Sequence, residues 1–280
     1  MSRAVTVPDI RAAKGQTPLV MLTAYDAPTA RWGEEAGADM LLVGDSLAMV
    51  VLGHETTLEV TLDEMLHHAR AVRRASHRCL LIGDLPFGCY QSSVEEAVCA
   101  GVRYLKEGGM HAVKLEGPWP DQVRALVRAG IPVMGHLGLT PQSVHAFGGY
   151  RVQARTFDEA ETLCAAAREL AAAGCFSLVL EGVPAEVASV VTEEVDIPTI
   201  GIGAGSDCDG QVLVVHDLLG VTPLPRPRFV DAYDELGERA VDAIRRWAED
   251  VRARRVPTPE QSYHLRSETA QVWRERQSEA

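Results

Sequence analysis

Eight short apolar segments recur along the chain, each rich in Val, Ile and Leu and bounded by Gly, Pro or Asp. Their hydrophobic residues follow one another without alternation, which is typical of strands buried on both faces of a parallel sheet. The segments are residues 18–26, 40–45, 79–86, 112–117, 131–138, 177–184, 198–205 and 212–219. The pattern therefore predicts eight parallel strands.

Amphipathic segments lie between most of these strands and predict helices, several of which end in Gly, as helix C-termini often do. They are residues 62–75, 93–109, 121–130, 157–174, 184–195 and 232–255. The seventh connection, SDCDGQ, is too short for a full helix, so we expect an irregular unit there. Alternation of strand and helix indicates a parallel α/β fold.

Eight such units favour a closed (β/α)8 barrel. The length of 280 residues fits one barrel domain, which needs roughly 250 residues. An open doubly wound sheet is the alternative at this point. We expect one barrel domain over residues 1–256, whose last helix is 232–255, followed by a polar tail over residues 257–280. The tail either packs on a neighbouring subunit or frays.

Polar residues follow the predicted strands at their carboxyl ends. In a barrel these ends converge on one face, where active sites lie. A single Asp after a strand can simply cap the next helix, but Glu is a poor cap, and several crowded carboxylates repel unless a cation or proton joins them. The strand-end residues are Asp26, Asp45, Asp84, Glu116, His136, Glu181 and Asp217. Their number favours a functional site over capping alone.

Carboxylate oxygens with no Cys or paired His nearby fit Mg²⁺, which keeps open positions for water or substrate. Lys114 stands two residues before Glu116, so both side chains share one face of the fourth strand. Lys114 therefore either forms an internal ion pair or meets a substrate carboxylate or enolate. His136 is either a structural residue or part of the same site.

The formal net charge is −12, which disfavours nucleic acid and anionic membrane surfaces as partners. The six cysteines lack metal-finger spacing, so we expect reduced thiols of a cytoplasmic protein. We see no signal-peptide pattern and no apolar run near the ~20 residues that span a bilayer. The composition therefore favours a cytoplasmic protein whose partners are neither nucleic acid nor an anionic membrane surface.

Segments over nearly the whole chain resemble the ketopantoate hydroxymethyltransferase family, in order and at the expected spacing. The resemblance rests on MLTAYDAP (21–28), LLVGDSLAMVVLGHETTLEVTLDEMLHHARAVRR (41–74), GDLPFGCYQ (83–91), AVKLEG (112–117), IPVMGHLGLTPQSVHAFGGYRVQAR (131–155), LVLEGVP (178–184), IGIGAGSDCDGQVLVVHDLLG (200–220) and VPTPEQSYH (256–264).

This resemblance implies a (β/α)8 TIM barrel of the phosphoenolpyruvate/pyruvate type. It implies transfer of a hydroxymethyl group from 5,10-methylenetetrahydrofolate to 3-methyl-2-oxobutanoate, giving 2-dehydropantoate for pantothenate and coenzyme A. It also implies a homo-oligomer, commonly a ring of ten subunits, with one Mg²⁺ in each.

The residue roles that the resemblance implies fall on a few positions. The Mg²⁺ ligands are Asp45, Asp84 and Glu116, and the general base is Glu181. The substrate contacts are Asp45, Ser46, Asp84 and Lys114, and we assign His136 to the substrate site as well, where it would hold a water or a carboxylate.

Some positions depart from the usual family pattern, and two of them are Ala48, which replaces a frequent Gly, and Gly182, which replaces a common Cys. Because both lie beside predicted site residues, a paralogue acting on another branched oxo acid is one alternative. A second alternative is a related Mg²⁺-dependent 2-oxo acid lyase or mutase, although the catalytic Cys motif usual in those enzymes is not found. A third is a non-catalytic barrel.

Overall fold

The computed structural model describes residues 3–222 and 226–278. Within them, eight parallel strands close into a barrel in chain order, with β1 paired to β8. The strands are β1 (Leu19–Thr23), β2 (Met40–Val43), β3 (Leu80–Asp84), β4 (Ala112–Glu116), β5 (Val133–Gly138), β6 (Ser177–Glu181), β7 (Thr199–Ile202) and β8 (Gly210–Leu213). The closed barrel is confirmed, and the open sheet is excluded.

The helices that directly follow β2, β5 and β8 are short, and most of the others are longer. The helices are α1 (Val7–Ala12), α2 (Ala27–Glu35), α3 (Leu47–Val50), α4 (Leu62–Ala75), α5 (Val94–Arg103), α6 (Pro120–Arg128), α7 (Val144–Phe147), α8 (Phe157–Ala173), α9 (Ala185–Glu194), α10 (Val215–Leu218), α11 (Leu236–Arg252) and α12 (Ser267–Ser278). Every predicted helix is present, and residues 203–209, all described, connect β7 to β8 without a helix.

The eighth strand differs from its prediction over residues 212–219. It ends at Leu213, because the backbone N–H of Val215 donates to the Thr23 hydroxyl at 2.9 Å instead of continuing the strand ladder. The chain then turns into α10, so the expected strand-end residue Asp217 lies on a short helix.

Two apolar layers bury both faces of the strands. One cluster fills the barrel interior and the other lies between strands and helices. Side chains alternate along a strand, so every second residue points into the barrel. Toward the carboxyl ends of β3 to β6, the inward-pointing residues lie directly above the interior apolar cluster. Those positions are polar, and they are Asp84, Lys114, Glu116, His136 and Glu181. The interior of the barrel is therefore apolar along most of its length and polar at the carboxyl ends of these strands.

Helix α5 continues as a single π-helical segment, Tyr104–Gly108, beside β3. The Tyr104 ring packs onto Gly83, where an added Cβ would lie 2.3 Å from the ring. The Tyr104 hydroxyl donates to the Asp84 carbonyl oxygen. The absence of a side chain at residue 83 therefore lets this segment support the end of β3.

Residues 234–278 belong to a second compact unit, Asp234–Ala280, which contains α11 and α12. Helix α11 is amphipathic in sequence, and none of its residues is buried. The predicted boundary at residue 256 and the assignment of this helix to the barrel stay predictions. Residues 1–2, 223–225 and 279–280, which fall in the predicted domain and tail, lie outside the described residues.

No helix in the described part of the chain is both long and apolar enough to cross a membrane.

Glu34, near the end of α2, holds the segment between α4 and β3. Its carboxylate accepts hydrogen bonds from the Ser76 hydroxyl and from the backbone N–H groups of His77, Arg78 and Cys79. Although burial acts to raise the pKa of Glu34, these hydrogen bonds outweigh it and lower the pKa from 4.5 to about 2. The folded protein therefore stabilises the ionised form of the Glu34 side chain.

We expect Glu34→Gln to lower the free energy of unfolding at neutral pH by about 1–3 kcal/mol, the scale of lost hydrogen bonds to a charged group. Because the folded-state pKa is lowered, this stabilisation is complete above the unfolded-state pKa of 4.5 and disappears as the pH falls toward 2. Urea unfolding of both proteins across that range measures the difference, which should shrink as the pH falls. The exposed neighbour Glu35, changed to Gln, should stay within roughly 0.5 kcal/mol of the parent. A difference that does not change with pH would contradict this role of Glu34.

Candidate active site

Three carboxylates meet at the carboxyl end of the barrel. Asp84 and Glu116 are the last residues of β3 and β4, and Asp45 lies just beyond β2. All three are buried, and one ligand atom from each lies within 4.8 Å of the other two. The three predicted metal ligands are therefore brought together, whereas the role itself stays a prediction.

The three carboxylates have different pKa shifts. Burial raises the pKa of Asp45 well above its ordinary value, and the charges of Asp84 and Glu116 add to the shift. Burial raises the pKa of Asp84 too, although the Lys114 ammonium opposes the shift. At Glu116, burial acts to raise the pKa, but Lys114 and His136 outweigh it and hold the pKa below its ordinary value. One ammonium therefore does not offset the crowding of three buried carboxylates.

Lys114 lies among these carboxylates. Its Nζ donates to Asp84 Oδ1 at 2.7 Å and lies 3.7 Å from Glu116 Oε1. Burial acts to lower the pKa of Lys114, but the surrounding carboxylates outweigh burial and raise it, so the side chain stays an ammonium. The internal ion pair expected as one interpretation is present. It faces the cavity described below, so a role toward the substrate stays a prediction.

His136, on β5, lies between two carboxylates. Its Nδ1 is 3.5 Å from Glu116 Oε1, and its Nε2 is 3.3 Å from Glu181 Oε2. Neither nitrogen makes a hydrogen bond of good geometry with a described residue, so the attraction is chiefly electrostatic. Burial and Lys114 act to lower the pKa of His136, but the two carboxylates outweigh them and raise it to about 9. His136 thus connects the carboxylate cluster to Glu181.

Glu181 is the last residue of β6, and its side chain is 16% exposed. Its backbone is held from β5, because the Leu139 N–H donates to the Glu181 carbonyl oxygen at 2.7 Å. Gly138 makes this approach possible: its φ is 94°, and an added Cβ would lie 2.2 Å from that oxygen. A glycine at residue 138 therefore helps to set the position of Glu181.

Ser46 begins α3 beside Asp45. Its hydroxyl lies 2.9 Å from the hydroxyl of Tyr25, a buried residue at the end of the segment after β1. Burial raises the pKa of Tyr25, so its hydroxyl stays protonated at neutral pH. Tyr25 therefore orients Ser46 and was not among the predicted site residues.

Two further buried residues, Gln142 and Tyr90, contact the carboxylate cluster and were also missed. The Gln142 side-chain amide donates to Asp45 Oδ2 at 2.8 Å, and its backbone N–H donates to Glu116 Oε2 at 3.0 Å. The Tyr90 hydroxyl donates to Gln142 Oε1 at 2.6 Å. The sequence pattern predicts site residues from charged groups at strand ends, and neither Gln142 nor Tyr90 carries a charge. The remaining signal was the position of Gln142 shortly after a strand end.

A cavity of about 530 Å³ opens above the cluster, and all seven predicted site residues line it. They are Asp45, Ser46, Asp84, Lys114, Glu116, His136 and Glu181. Asp217 also lines the cavity from α10, and burial raises its pKa although Arg226 opposes the shift. Asp26 does not belong to the cluster: it is exposed and caps α2, accepting from the Thr29 N–H at 2.8 Å. The capping interpretation is right for that residue.

The sequence is similar to those of known proteins over nearly its whole length. The sequence model of the family described as ketopantoate hydroxymethyltransferase matches residues 4–259. A 3-methyl-2-oxobutanoate hydroxymethyltransferase of Oleidesulfovibrio alaskensis is 54% identical over 281 residues, covering 100% of this chain and 97% of that protein. One of Syntrophobacter fumaroxidans is 55% identical over 267 residues, covering 95% of each.

Solved structures of similar fold are more distant in sequence. A phosphonopyruvate hydrolase has a TM-score of 0.58 at 13% identity, covering 98% of this chain and 97% of its own. A 2,3-dimethylmalate lyase, described as a member of the phosphoenolpyruvate mutase and isocitrate lyase superfamily, has a TM-score of 0.58 at 19% identity, covering 92% and 90%. These similarities concern the fold alone, and they confirm the (β/α)8 barrel that this chain shares with those enzymes.

Proposed function

Because the chain belongs to the ketopantoate hydroxymethyltransferase family and is a hydroxymethyltransferase, we propose that it acts on 3-methyl-2-oxobutanoate, with 5,10-methylenetetrahydrofolate as the one-carbon donor. The product is 2-dehydropantoate, which serves pantothenate and coenzyme A synthesis. One observation carries the proposal: a buried cluster of three carboxylates and an ammonium faces the same cavity as Glu181.

The donor set at Asp45, Asp84 and Glu116 fits Mg²⁺. All three side chains offer carboxylate oxygens, which are hard donors that Mg²⁺ prefers, and one such atom from each lies within 4.8 Å of the others. Lys114 provides one positive charge. Burial, and after it the charges of neighbouring carboxylates, raise the pKa values of Asp45 and Asp84, and a cation would relieve the repulsion between these carboxylates. When bound, Mg²⁺ supplies Lewis acidity, which makes the C3–H of a 2-oxo acid more acidic by polarising the ketone.

Glu181 is the proposed general base that removes the C3 proton. Its side chain is partly exposed to the cavity, unlike the buried carboxylates of the cluster, so it can reach a bound substrate. His136 Nε2 lies 3.3 Å from Glu181 Oε2, and both side chains line the cavity. This separation of a base from a cation-binding cluster suits proton abstraction next to a carbonyl.

Lys114 and Ser46 are proposed to orient the oxo acid. The ammonium supplies positive charge where negative charge develops on the 2-oxo oxygen, and a buried site makes that charge effective. The Ser46 hydroxyl, held by Tyr25, is suited to the substrate carboxylate. Both side chains line the cavity, which supports a shared substrate position.

The second substrate enters the same cavity in this proposal. A small oxo acid fills only part of a cavity of about 530 Å³, so room is left for the reacting end of a folate. The carbon nucleophile formed at C3 bonds to the methylene carbon, whose two C–N bonds to the folate break. The folate nitrogens take up the proton lost from C3 and one proton of water, so that tetrahydrofolate leaves. The overall transfer also consumes a water molecule, because the unit arrives as methylene and remains as hydroxymethyl.

The test is loss of the C3–H signal of 3-methyl-2-oxobutanoate in D₂O, followed by proton NMR with protein and Mg²⁺. We expect exchange that a chelator abolishes, and formation of 2-dehydropantoate once methylenetetrahydrofolate is added. Exchange without product would favour a related Mg²⁺-dependent lyase or mutase. Absence of exchange from folded, metal-loaded protein would overturn the substrate assignment and leave the paralogue with another oxo acid.

Assembly and location are part of the same proposal. A homo-oligomer of ten subunits follows from family resemblance. A cytoplasmic location accords with six free thiols, at Cys79, Cys89, Cys99, Cys164, Cys175 and Cys208.

A further inference from the structure

We propose that Gln142 is a positioning residue, which orients the carboxylates of Asp45 and Glu116 so that one oxygen of each stays directed to a divalent cation. This inference rests on the proposed function, because it assumes that the carboxylate cluster binds the cation. Gln142 lies in a single 3₁₀ turn, Pro141–Ser143, after β5, and it is buried.

Gln142 contacts two carboxylates through two different donors. Its side-chain Nε2 donates to Asp45 Oδ2 at 2.8 Å and also to the Leu85 carbonyl oxygen at 3.0 Å. Its backbone N–H donates to Glu116 Oε2 at 3.0 Å. One oxygen of each carboxylate thereby accepts a hydrogen bond from Gln142. The other oxygens are the ones directed to a cation: Asp45 Oδ1, and Glu116 Oε1, which has the longer contacts to Lys114 at 3.7 Å and His136 at 3.5 Å.

The orientation of the Gln142 amide is determined by its other end. Oε1 accepts from the Tyr90 hydroxyl at 2.6 Å and from Gln91 Nε2 at 3.1 Å. Tyr90 in turn accepts from the Glu116 backbone N–H at 3.1 Å. If the amide were reversed, its oxygen would face the Asp45 carboxylate oxygen and the Leu85 carbonyl oxygen, and its nitrogen would face the donor Gln91 Nε2. The network therefore permits only the observed orientation.

A neutral donor is suited to Asp45 for an electrostatic reason. Lys114 lies between Asp84 and Glu116, whereas Gln142 is the only side chain among the described residues that hydrogen-bonds to the Asp45 carboxylate. A Lys or Arg at residue 142 would neutralise Asp45 and compete with a cation for it. An amide fixes the orientation of the carboxylate and leaves its charge available.

The experiment measures Mn²⁺ binding by electron paramagnetic resonance and Mg²⁺ binding by calorimetry, without substrate, in the full-length protein. We expect Gln142→Met, which keeps an unbranched chain and loses the amide, to weaken both affinities about 10–100-fold. Tyr90→Phe keeps Gln142 but leaves its Oε1 with Gln91 as the remaining donor, and should weaken binding by about 10-fold, the lower end of that range. Tyr90→Phe removes only one hydroxyl group. If Gln142→Met does not fold, the cation affinity of Tyr90→Phe tests the proposal instead.

Gln122 offers a matched control. It is a second buried glutamine in the same region, and its Nε2 donates to the Tyr90 carbonyl oxygen at 3.2 Å rather than to a carboxylate of the cluster. Gln122→Met should leave the affinity for both cations unchanged. Turnover of Gln142→Met should recover as Mg²⁺ is raised, a rescue that a purely structural defect would not show.

The outcomes separate this inference from the proposed function. If the parent protein binds Mn²⁺ and Gln142→Met and Tyr90→Phe bind it equally well, only the inference is overturned. It is also overturned if Gln122→Met weakens binding as much as Gln142→Met does. If the parent protein itself binds neither cation, the proposed metal site fails, and the role of Gln142 fails with it.

Discussion

Changing Glu181 to Gln should abolish exchange of the C3 proton of 3-methyl-2-oxobutanoate while the oxo acid still binds. A carboxamide is close in size to the carboxylate and keeps the contact with His136, but it cannot accept the proton. We expect exchange and turnover to fall by about 10²–10⁴-fold, the range for loss of a general base. Proton NMR in D₂O measures exchange, and calorimetry in the presence of Mg²⁺ measures oxo acid binding.

Glu186 is the matched control for this change. It is an exposed glutamate in the first turn of α9, five residues after Glu181, and Glu186→Gln should exchange the C3 proton at the parent rate. Normal exchange in Glu181→Gln would remove Glu181 from the role of base. Loss of both exchange and oxo acid binding would instead indicate that Glu181 holds the substrate.

Changing Asp84 to Asn should remove most of the affinity for Mg²⁺. The amide keeps an oxygen but loses the negative charge, and Lys114 loses the carboxylate that lies 2.7 Å from its Nζ. A buried ammonium without its partner would then repel a cation in the same site. We expect the affinity to fall by at least about 100-fold, more than is usual for loss of an outer-shell contact. Calorimetry with Mg²⁺, on protein whose fold is checked by circular dichroism, gives the measurement.

The control for Asp84 is Asp217, a carboxylate that lines the same cavity but lies outside the three-carboxylate cluster. Asp217→Asn should bind Mg²⁺ with the parent affinity. Equal losses in the two variants would mean that the cavity attracts cations by its overall negative charge rather than by three defined ligands. Parent affinity in Asp84→Asn would exclude Asp84 as a ligand.

The barrel could be predicted from the sequence because each strand and helix is indicated by a pattern of neighbouring residues. Runs of apolar residues mark strands buried on two faces, and the interior and outer apolar clusters of the structure are those two faces. The residues at strand ends could be found in the same way, since parallel strands of a barrel end on one face. Family resemblance added the assignment of roles, which periodicity could not supply.

Other features depended on contacts between distant parts of the chain. Asp26 and Asp45 both follow an apolar run, but Asp26 caps α2 while Asp45 is buried beside Asp84. The predicted end of β8 was wrong because the Val215 N–H, at the start of α10, donates to the Thr23 hydroxyl at the end of β1, a contact between residues far apart along the chain. In both cases the local sequence pattern does not distinguish between the alternatives: an exposed helix cap or a buried site residue for the Asp, and an earlier or later end for the strand.

The sequence by itself determined the eight strands, the helices between them and the set of polar residues at the strand ends. Only the tertiary structure decided that Gln142, 97 residues from Asp45 along the chain, donates to its carboxylate, and that His136 lies between Glu116 and Glu181. The physical reason is that secondary structure follows from periodic burial of neighbouring residues. A hydrogen bond or ion pair across the barrel depends instead on closure of the sheet and on which side chains then share a buried, low-dielectric space.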